Sequence, residues 1–415
     1  MGVSLSRLDQ TAVPELTTTI RNAGISGAGG AGFPSYAKWE RAEGVDSLLI
    51  NHQESEPNFF VDKWLGRTHT AALAALFDAL LDRLFDVIVV AAKEVDRDEH
   101  TRELEAATDA TVYQPDELPI DDTETGVVFA YTDDRYEYGM ESVLLRIVDD
   151  TVIGNDLPMD HGWIVQNTES IYNLYRTLAD GTPVTHKYVH VDGMVPRHRF
   201  LRAPIGTPAT ELLRAAGRPI TELPADAVLA DGGPGWCFSI DEPPDRFGIR
   251  KRTNCLLVID AETATKHTLG GNRINILAEY DRSEHEMETE PTATITPEYV
   301  RIPMITNAAF EGVVEPSEPI VEPGDRVETG QMIATPSSTG ISIPHHASID
   351  GTVTAVSERC IEIETDDRVR ATRAADDIGT GISYWTWCVT CGSHVIPPLD
   401  EPMLDPTRYV CSECR

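Results

Sequence analysis

The residues best equipped for chemistry begin in one stretch, Gly24-Ile-Ser-Gly-Ala-Gly-Gly-Ala-Gly-Phe-Pro-Ser-Tyr-Ala-Lys38-Trp39. A run with glycine at Gly24, Gly27, Gly29, Gly30 and Gly32 cannot be a helix interior, because each glycine costs backbone entropy there. It can bring backbone N–H groups close to a phosphate, with Lys38 adding a point charge. The run fits neither the dinucleotide fingerprint nor a Walker lysine, so a flexible connection stands beside the phosphate-cradle reading. Downstream, the apolar run Ser47–Ile50 predicts a strand that delivers Asn51, Gln53, Glu54 and Glu56 ahead of Pro57. Pro57 biases Glu56 towards an extended backbone, which would set Glu54 and Glu56 on one face. Two carboxylates repel phosphate but accept hydrogen bonds from ribose hydroxyls or a carboxamide. A cradle followed by such acceptors suits a nucleotide with sugar hydroxyls; a solvated acidic turn is the plainer reading.

A second constellation lies at the far end of the chain. Cys388-x-x-Cys391, nineteen intervening residues, then Cys411-x-x-Cys414 is the spacing of paired knuckles in a tetrathiolate metal site. Zinc is the default occupant, and a single iron is the alternative, since tetrahedral sulfur ligation suits both. Two disulfides are the competing reading, which a chain opening without a signal peptide disfavours. Cys237 and Cys255 have no partner at metal spacing and are expected in the core.

From Gly27–Lys38 through Asn51–Pro57, the chain resembles the flavin site of the NADH-oxidising subunit of respiratory complex I. Its layout is more similar to the C subunit of Rnf-type oxidoreductases and to the cobalamin reductase of propanediol microcompartments. The resemblance continues through Tyr136-Glu-Tyr-Gly139-Met-Glu141-Ser142, Gly154–Pro158 and Val165-Gln-Asn167-Thr168-Glu169. It implies non-covalent FMN reduced by hydride from NADH or NADPH. Gly27, Gly29, Gly30, Gly32 and Lys38 would hold the phosphate and ribityl chain. Asn51, Glu54 and Asn167 would orient the ring, with Tyr136, Gly139 and Thr168 in the matching motifs. Phe33 would stack on the nicotinamide nucleotide, and Glu56 and Glu141 would contact it as the catalytic pair. Met140, Gln53 and Ala28 depart from the complex I pattern, which has glutamate, aspartate and arginine there. The chain also lacks the iron–sulfur cysteine motifs of these relatives, so electrons are expected to pass to a partner protein or small acceptor. A scaffold subunit without turnover and a cobalamin-reducing enzyme are the alternatives.

At 415 residues the chain is long enough for several domains. The formal charge is −34, from 68 acidic and 34 basic residues, of which six are lysine. So acidic a surface suits concentrated salt, where self-repulsion is screened within about 3 Å at 1 M. It argues against nucleic acid or anionic membrane as partners. No apolar run approaches the roughly 18 residues of a membrane span, so a cytoplasmic protein is expected, any membrane association running through partner subunits.

The elements that must position these residues read as α/β: a Rossmann-like flavin and nucleotide domain over 1–185 with a largely parallel sheet. Helices are predicted around Glu15–Asn22, over Thr68–Phe85 with a stripe of Leu73, Leu76, Phe77, Leu80 and Leu84, over Arg102–Ala107, and over Gly139–Val148 with Val143, Leu144 and Ile147 inward. Strands are predicted at Phe85–Ala91, Thr111–Tyr113 and Gly126–Tyr131. Residues 186–268 resemble the β-grasp (SLBB) module of the same families. Residues 269–298 read as an acidic linker with one helix at Asn275–Tyr280. Residues 299–366 look like a barrel-sandwich hybrid; no lysine follows Lys266, so it cannot be a lysine-acylated carrier. The neighbours His345 and His346 are expected to be structural or surface residues. Residues 367–415 would form a zinc-ribbon-like tail.

Overall fold

A computed structural model describes residues 13–307 and 312–366, together with the backbone of Thr386–Trp387 and His394–Val395. The first unit is built on a five-stranded, wholly parallel sheet of β1 (Ser47–His52), β2 (Val87–Lys93), β3 (Thr111–Tyr113), β4 (Gly126–Thr132) and β5 (Trp163–Asn167), in the order β3-β4-β2-β1-β5. Both faces are covered, so its strands read as unbroken apolar runs rather than alternating ones. Alternate residues divide between two cores. Leu48, Ile50, Ile88, Val90 and Phe129 face one side; Leu49, Val89, Ala91, Val128 and Ala130 face the other.

On the first face lie α1 (Val13–Asn22), the short α2 (Tyr36–Trp39), α3 (Val61–Thr68), α4 (Thr70–Leu81), α5 (Arg102–Ala107) and, behind β5, α7 (Thr168–Asp180). α6 (Glu141–Asp149) covers the second face. The apolar stripe expected over 68–85 is present in α4, with Leu73, Leu76, Phe77 and Leu80 buried and Leu84 half-buried beyond its end. The helix is shorter than expected because His69 separates it from α3. That helix was hidden by Gly66, whose missing side chain makes room for the His52 ring, 2.9 Å from where a Cβ would stand. α6 starts only after a 3-10 turn at Tyr136–Gly139, and this rotates its buried face to Leu144, Leu145 and Val148, leaving Val143 and Ile147 half-buried.

The second unit is a mixed seven-stranded sheet. β6 (His186–Gly193) and β10 (Cys255–Ile259) run parallel at its centre. Around them lie β7 (Arg199–Pro204), β8 (Val228–Gly233) and β9 (Trp236–Ser239), with α8 (Ala209–Ala215) between β7 and β8 in sequence and α9 (Ala261–His267) after β10. The edges are β11 (Arg273–Ile274) beside β9 and β12 (Ala293–Thr294) beside β7. The segment read as a linker therefore closes both edges of this sheet. Asn275–Tyr280 is a turn, not a helix, because Ile274 and Ile276 pack on Cys237 and Cys255, both buried as expected.

The third unit has two small sheets, β13 (Tyr299–Pro303), β19 (Cys360–Glu364), β18 (Gly351–Val356) and β15 (Arg326–Val327) in one, and β14 (Glu318–Pro319), β16 (Met332–Thr335) and β17 (His345–His346) in the other. Its Ile302, Ile333 and Ile363 join the same apolar cluster as α4 and β1. His345 and His346 are both buried rather than on the surface. The three units meet at Lys251, whose ammonium donates to the Gly24 carbonyl at 2.7 Å and the Pro344 carbonyl at 3.2 Å. Burial pushes this lysine down to about 7.

Phe77 is fully buried at the centre of the shared cluster, so Phe77→Ala should cost about 3–5 kcal/mol of stability. Leu84→Ala, at a half-buried position, should cost clearly less. Urea denaturation followed by circular dichroism measures both, and equal losses would contradict this placement of α4.

Candidate functional site

A cavity of about 560 Å³ opens at the carboxyl ends of β1 and β5, roofed by the second sheet. Ligands of open α/β sheets bind at this edge, where neighbouring strands lead the chain in opposite directions. β1 and β5 are in register so that Asn51 stands beside Asn167. The Asn51 amide donates to the Gly139 carbonyl at 2.8 Å, and its oxygen accepts from the Gln53 N–H at 3.2 Å. Asn167 caps α7, its oxygen accepting from the Glu169 N–H at 3.0 Å, and its amide donates to Asp62 at 2.6 Å.

The glycine run closes on itself in front of this pair. The Gly27 N–H donates to the Phe33 carbonyl and the Gly32 N–H to the Gly27 carbonyl, both at 2.8 Å. A Cβ on Gly29 would stand 3.0 Å from the Asn167 side chain, so the loop lies directly on it. Gly30 adopts φ +108°, outside the range that side chains tolerate. Gly29, Gly30 and Ala31 line the cavity, and their three consecutive N–H groups meet no acceptor among the described residues. Free amides in such a turn are an anion-binding concavity. The observed cradle thus fits a phosphate-bearing cofactor such as FMN.

Carboxyl groups dominate the rest of the wall. Glu54 sits at φ +39° and turns back to cap α3, accepting from the Val61 N–H at 3.0 Å and the Lys63 N–H at 3.1 Å. It therefore does not share an extended face with Glu56, as the proline rule suggested. Burial raises Glu54 to about 7. Asp62 is raised well above the usual carboxylate range, first by burial and then by the charges of Glu54 and Glu169. Glu169, also raised by burial, is ion-paired with the buried Lys187. Glu56 accepts from the Tyr136 hydroxyl at 2.7 Å and from the Gly235 N–H at 2.8 Å, tying the β8–β9 turn to the first unit. Gly235 permits that contact, since a Cβ there would meet the Tyr136 ring at 2.5 Å.

The structure thus brings Gly29, Gly30, Asn51, Glu54, Glu56, Tyr136, Gly139 and Asn167 to one cavity. Other expected residues stand behind it. Gly27 and Gly32 close the loop, and the Thr168 hydroxyl is 2.9 Å from His52 Nδ1. Phe33 is half-buried outside the cavity lining. Lys38 does not line it either: its ammonium is ion-paired with Glu141 at 2.8 Å and donates to the Val165 carbonyl at 3.0 Å. Cys388, Cys391, Cys411 and Cys414 lie outside the described residues, among which no group of three or more metal-binding side chains occurs. Sequence reasoning missed Asp62, Trp236, Arg252, Asn254 and Asn307, which also line the cavity. Nothing local marks them, because four of the five arrive from the second and third units.

The Glu54 carboxyl binds its proton more tightly folded than unfolded, since its ordinary value of 4.5 rises to about 7. Its contribution to stability is full below about 4.5 and is lost as pH rises through about 7, at up to about 1.4 kcal/mol per pH unit. Glu54→Gln should flatten the fall in urea midpoint between pH 4.5 and 7, both by removing the Glu54 contribution and by taking away the charge that helps hold Asp62 up; an unchanged slope would contradict the assignment.

Comparison with known proteins places the two outer units. Residues 20–176 match the Nuo51 FMN-binding domain and residues 284–372 the RnfC barrel sandwich hybrid domain. The C subunit of the ion-translocating oxidoreductase complex of Pseudomonas aeruginosa is 32% identical over 250 residues, 59% of this chain and 30% of that protein. The cobalamin reductase PduS of Citrobacter freundii is 30% identical over 245 residues, 58% of this chain and 49% of that protein. The chain thus spans half or less of the length of these relatives. Among solved structures, an NAD+-reducing NiFe-hydrogenase in the H2-reduced state superposes with a TM-score of 0.46 at 19% identity, over 65% of this chain and 54% of that one. The chain joins a domain of the Nuo51 FMN-binding type to an RnfC-type barrel sandwich hybrid, and its relatives are the C subunits of ion-translocating oxidoreductases and the PduS cobalamin reductases.

Proposed function

We propose that the chain is an electron-input subunit that holds FMN in the cavity and takes hydride from a reduced nicotinamide nucleotide. The observation that carries this reading is the coincidence of three free loop amides with the paired Asn51 and Asn167 side chains at the carboxyl edge of the parallel sheet. The amides of Gly29, Gly30 and Ala31 would receive the phosphate, and Asn51 and Asn167 would orient the ring. Bound there, FMN supplies the two-electron chemistry of hydride acceptance. The chain's own work is to position both nucleotides and to manage protons. Glu56, at the cavity wall, could still accept from a carboxamide or ribose hydroxyl beside its bonds from Tyr136, Gly235 and Trp236. Glu54 and Asp62, both raised by burial, hold protons at the cavity wall near neutral pH.

Electrons would then pass to a partner protein or small acceptor, as suits relatives that are subunits of redox complexes. The mixed second sheet, with its parallel central pair, supports a β-grasp module, which together with the hybrid domain would serve docking. The chain would be cytoplasmic and reach a membrane only through partners; among the described residues no helix is long and apolar enough to cross one. The C-terminal cysteines would bind zinc as a tetrathiolate, and metal analysis should return one zinc per chain rather than iron.

One observation favours a non-catalytic scaffold instead: Lys38, expected at the phosphate, is neutralised by Glu141 away from the cavity. A visible spectrum of the purified chain in molar salt separates the two readings. The flavin reading predicts a yellow protein, or one that FMN turns yellow, bleached by NADH or NADPH. A colourless protein that FMN cannot reconstitute supports the scaffold.

A further inference from the structure

The cavity is a poor host for an anion except at one end. Glu54, Glu56, Asp62, Glu169 and Asp231 contribute carboxyl groups to its lining, against a single cationic side chain among the described residues, Arg252. Arg252 comes from the second unit, just ahead of β10, and is buried. Its stem passes the glycine loop, the Cδ lying 3.1 Å from where a Gly32 Cβ would stand. Asn254 follows on the same segment, its amide 3.7 Å from a Cβ at Gly30. Asn307, from the third unit, donates to the Ala31 carbonyl at 2.8 Å. Three side chains from outside the first unit therefore surround the Gly30–Ala31 end of the turn, while the Gly29 end faces Asn167 and Asp62.

Asp231 does not use up the guanidinium. Its Oδ2 lies 2.8 Å from Arg252 Nη2, yet both Asp231 oxygens and Arg252 Nε are buried without a well-directed hydrogen bond. Arg250 shares the same carboxylate at 3.5 Å. Arg250 also reaches Glu242 at 3.8 Å, so Arg252 shares Asp231 with a second guanidinium and keeps its buried Nε without a hydrogen bond. An arginine is suited to this task, since its fork matches phosphate oxygens and it stays charged when buried.

We infer that Arg252, assisted by Asn254, is the phosphate-binding cation of this site and occupies the role that sequence spacing suggested for Lys38. This rests on the flavin reading above and adds that the phosphate grip is shared between units: amides from the first, charge from the second. The phosphoryl group would lie at the Gly30–Ala31 end of the turn, away from Glu54, Asp62 and Glu169, with Asp231 as the one carboxylate beside Arg252.

Comparing FMN with riboflavin isolates the phosphate, because the two differ only there. Affinities of the full chain for both are measured by flavin fluorescence in the wild type and in Arg252→Gln, Arg252→Lys and Lys38→Gln. Arg252→Gln should weaken FMN about tenfold or more while riboflavin moves less than about twofold, a loss of about 1.4 kcal/mol confined to the phosphate. Retained riboflavin binding shows that the variant is folded. Arg252→Lys should keep part of the preference for FMN, and Lys38→Gln all of it. An unchanged FMN-to-riboflavin ratio in Arg252→Gln, or its collapse in Lys38→Gln, overturns the role of Arg252 and leaves the flavin site standing. A wild-type chain that binds neither flavin overturns both.

Discussion

A carboxylate taken out of water must be given donors, and Glu56 is given them from different parts of the chain. The Tyr136 hydroxyl belongs to the turn before α6; the Gly235 amide belongs to the tip of the β8–β9 hairpin. The second sheet is thereby fastened over the carboxyl edge of the first. Together with the Asn58–Asp192 and Lys187–Glu169 contacts, this one sets a roof over the edge that carries Trp236, Arg252 and Asn254. Lys251 makes the matching connection lower down, joining carbonyls of the first and third units from a stem in the second. The site is therefore a product of three units, although its floor of loop and strand ends belongs to one.

Electrostatics divides the cavity into regions with different uses. Around Asn167 and α3, Glu54, Asp62 and Glu169 crowd together, and the penalty of burying them is offset by helix capping, one amide and one buried lysine. Such groups resist ionisation near neutral pH, which suits proton handling and would repel a phosphate once charged. At the opposite end the wall carries the loop N–H groups and Arg252, which Asp231 partly neutralises. A cofactor with an anionic tail and a polar, proton-accepting ring meets the requirements of each end in turn.

The acidic composition of the chain does not reach every part of it equally. Of its six lysines, Lys187 and Lys251 are fully committed inside the fold and Lys38 is bound to Glu141. Cations so scarce are taken up by internal contacts, and among the described residues the cation lining the cavity is Arg252. A lone lysine beside a glycine loop was a reasonable expectation from spacing, but spacing does not reveal which carboxylate lies nearer.

Local sequence determined most of the first unit. Apolar runs at Leu48–Ile50 and Val87–Val90, the stripe of α4, the helix Arg102–Ala107 and the glycine loop were all legible, because strand and helix periodicity and glycine's conformational freedom act over a few residues. The ordered motifs from Gly27 to Thr168 likewise pointed to the family that the domain matches support. What remained hidden depends on contacts across long stretches of chain. No helix was expected at α3, where the bare Gly66 admits the His52 ring; residues 269–298 looked like a linker until their isoleucines found the second unit's core. Lys38 looked free for a ligand until Glu141 paired with it, and Glu54, though at the cavity wall, also caps α3. Which groups stay free at a cavity wall is settled only when every competing partner has been placed, and that is a property of the tertiary structure.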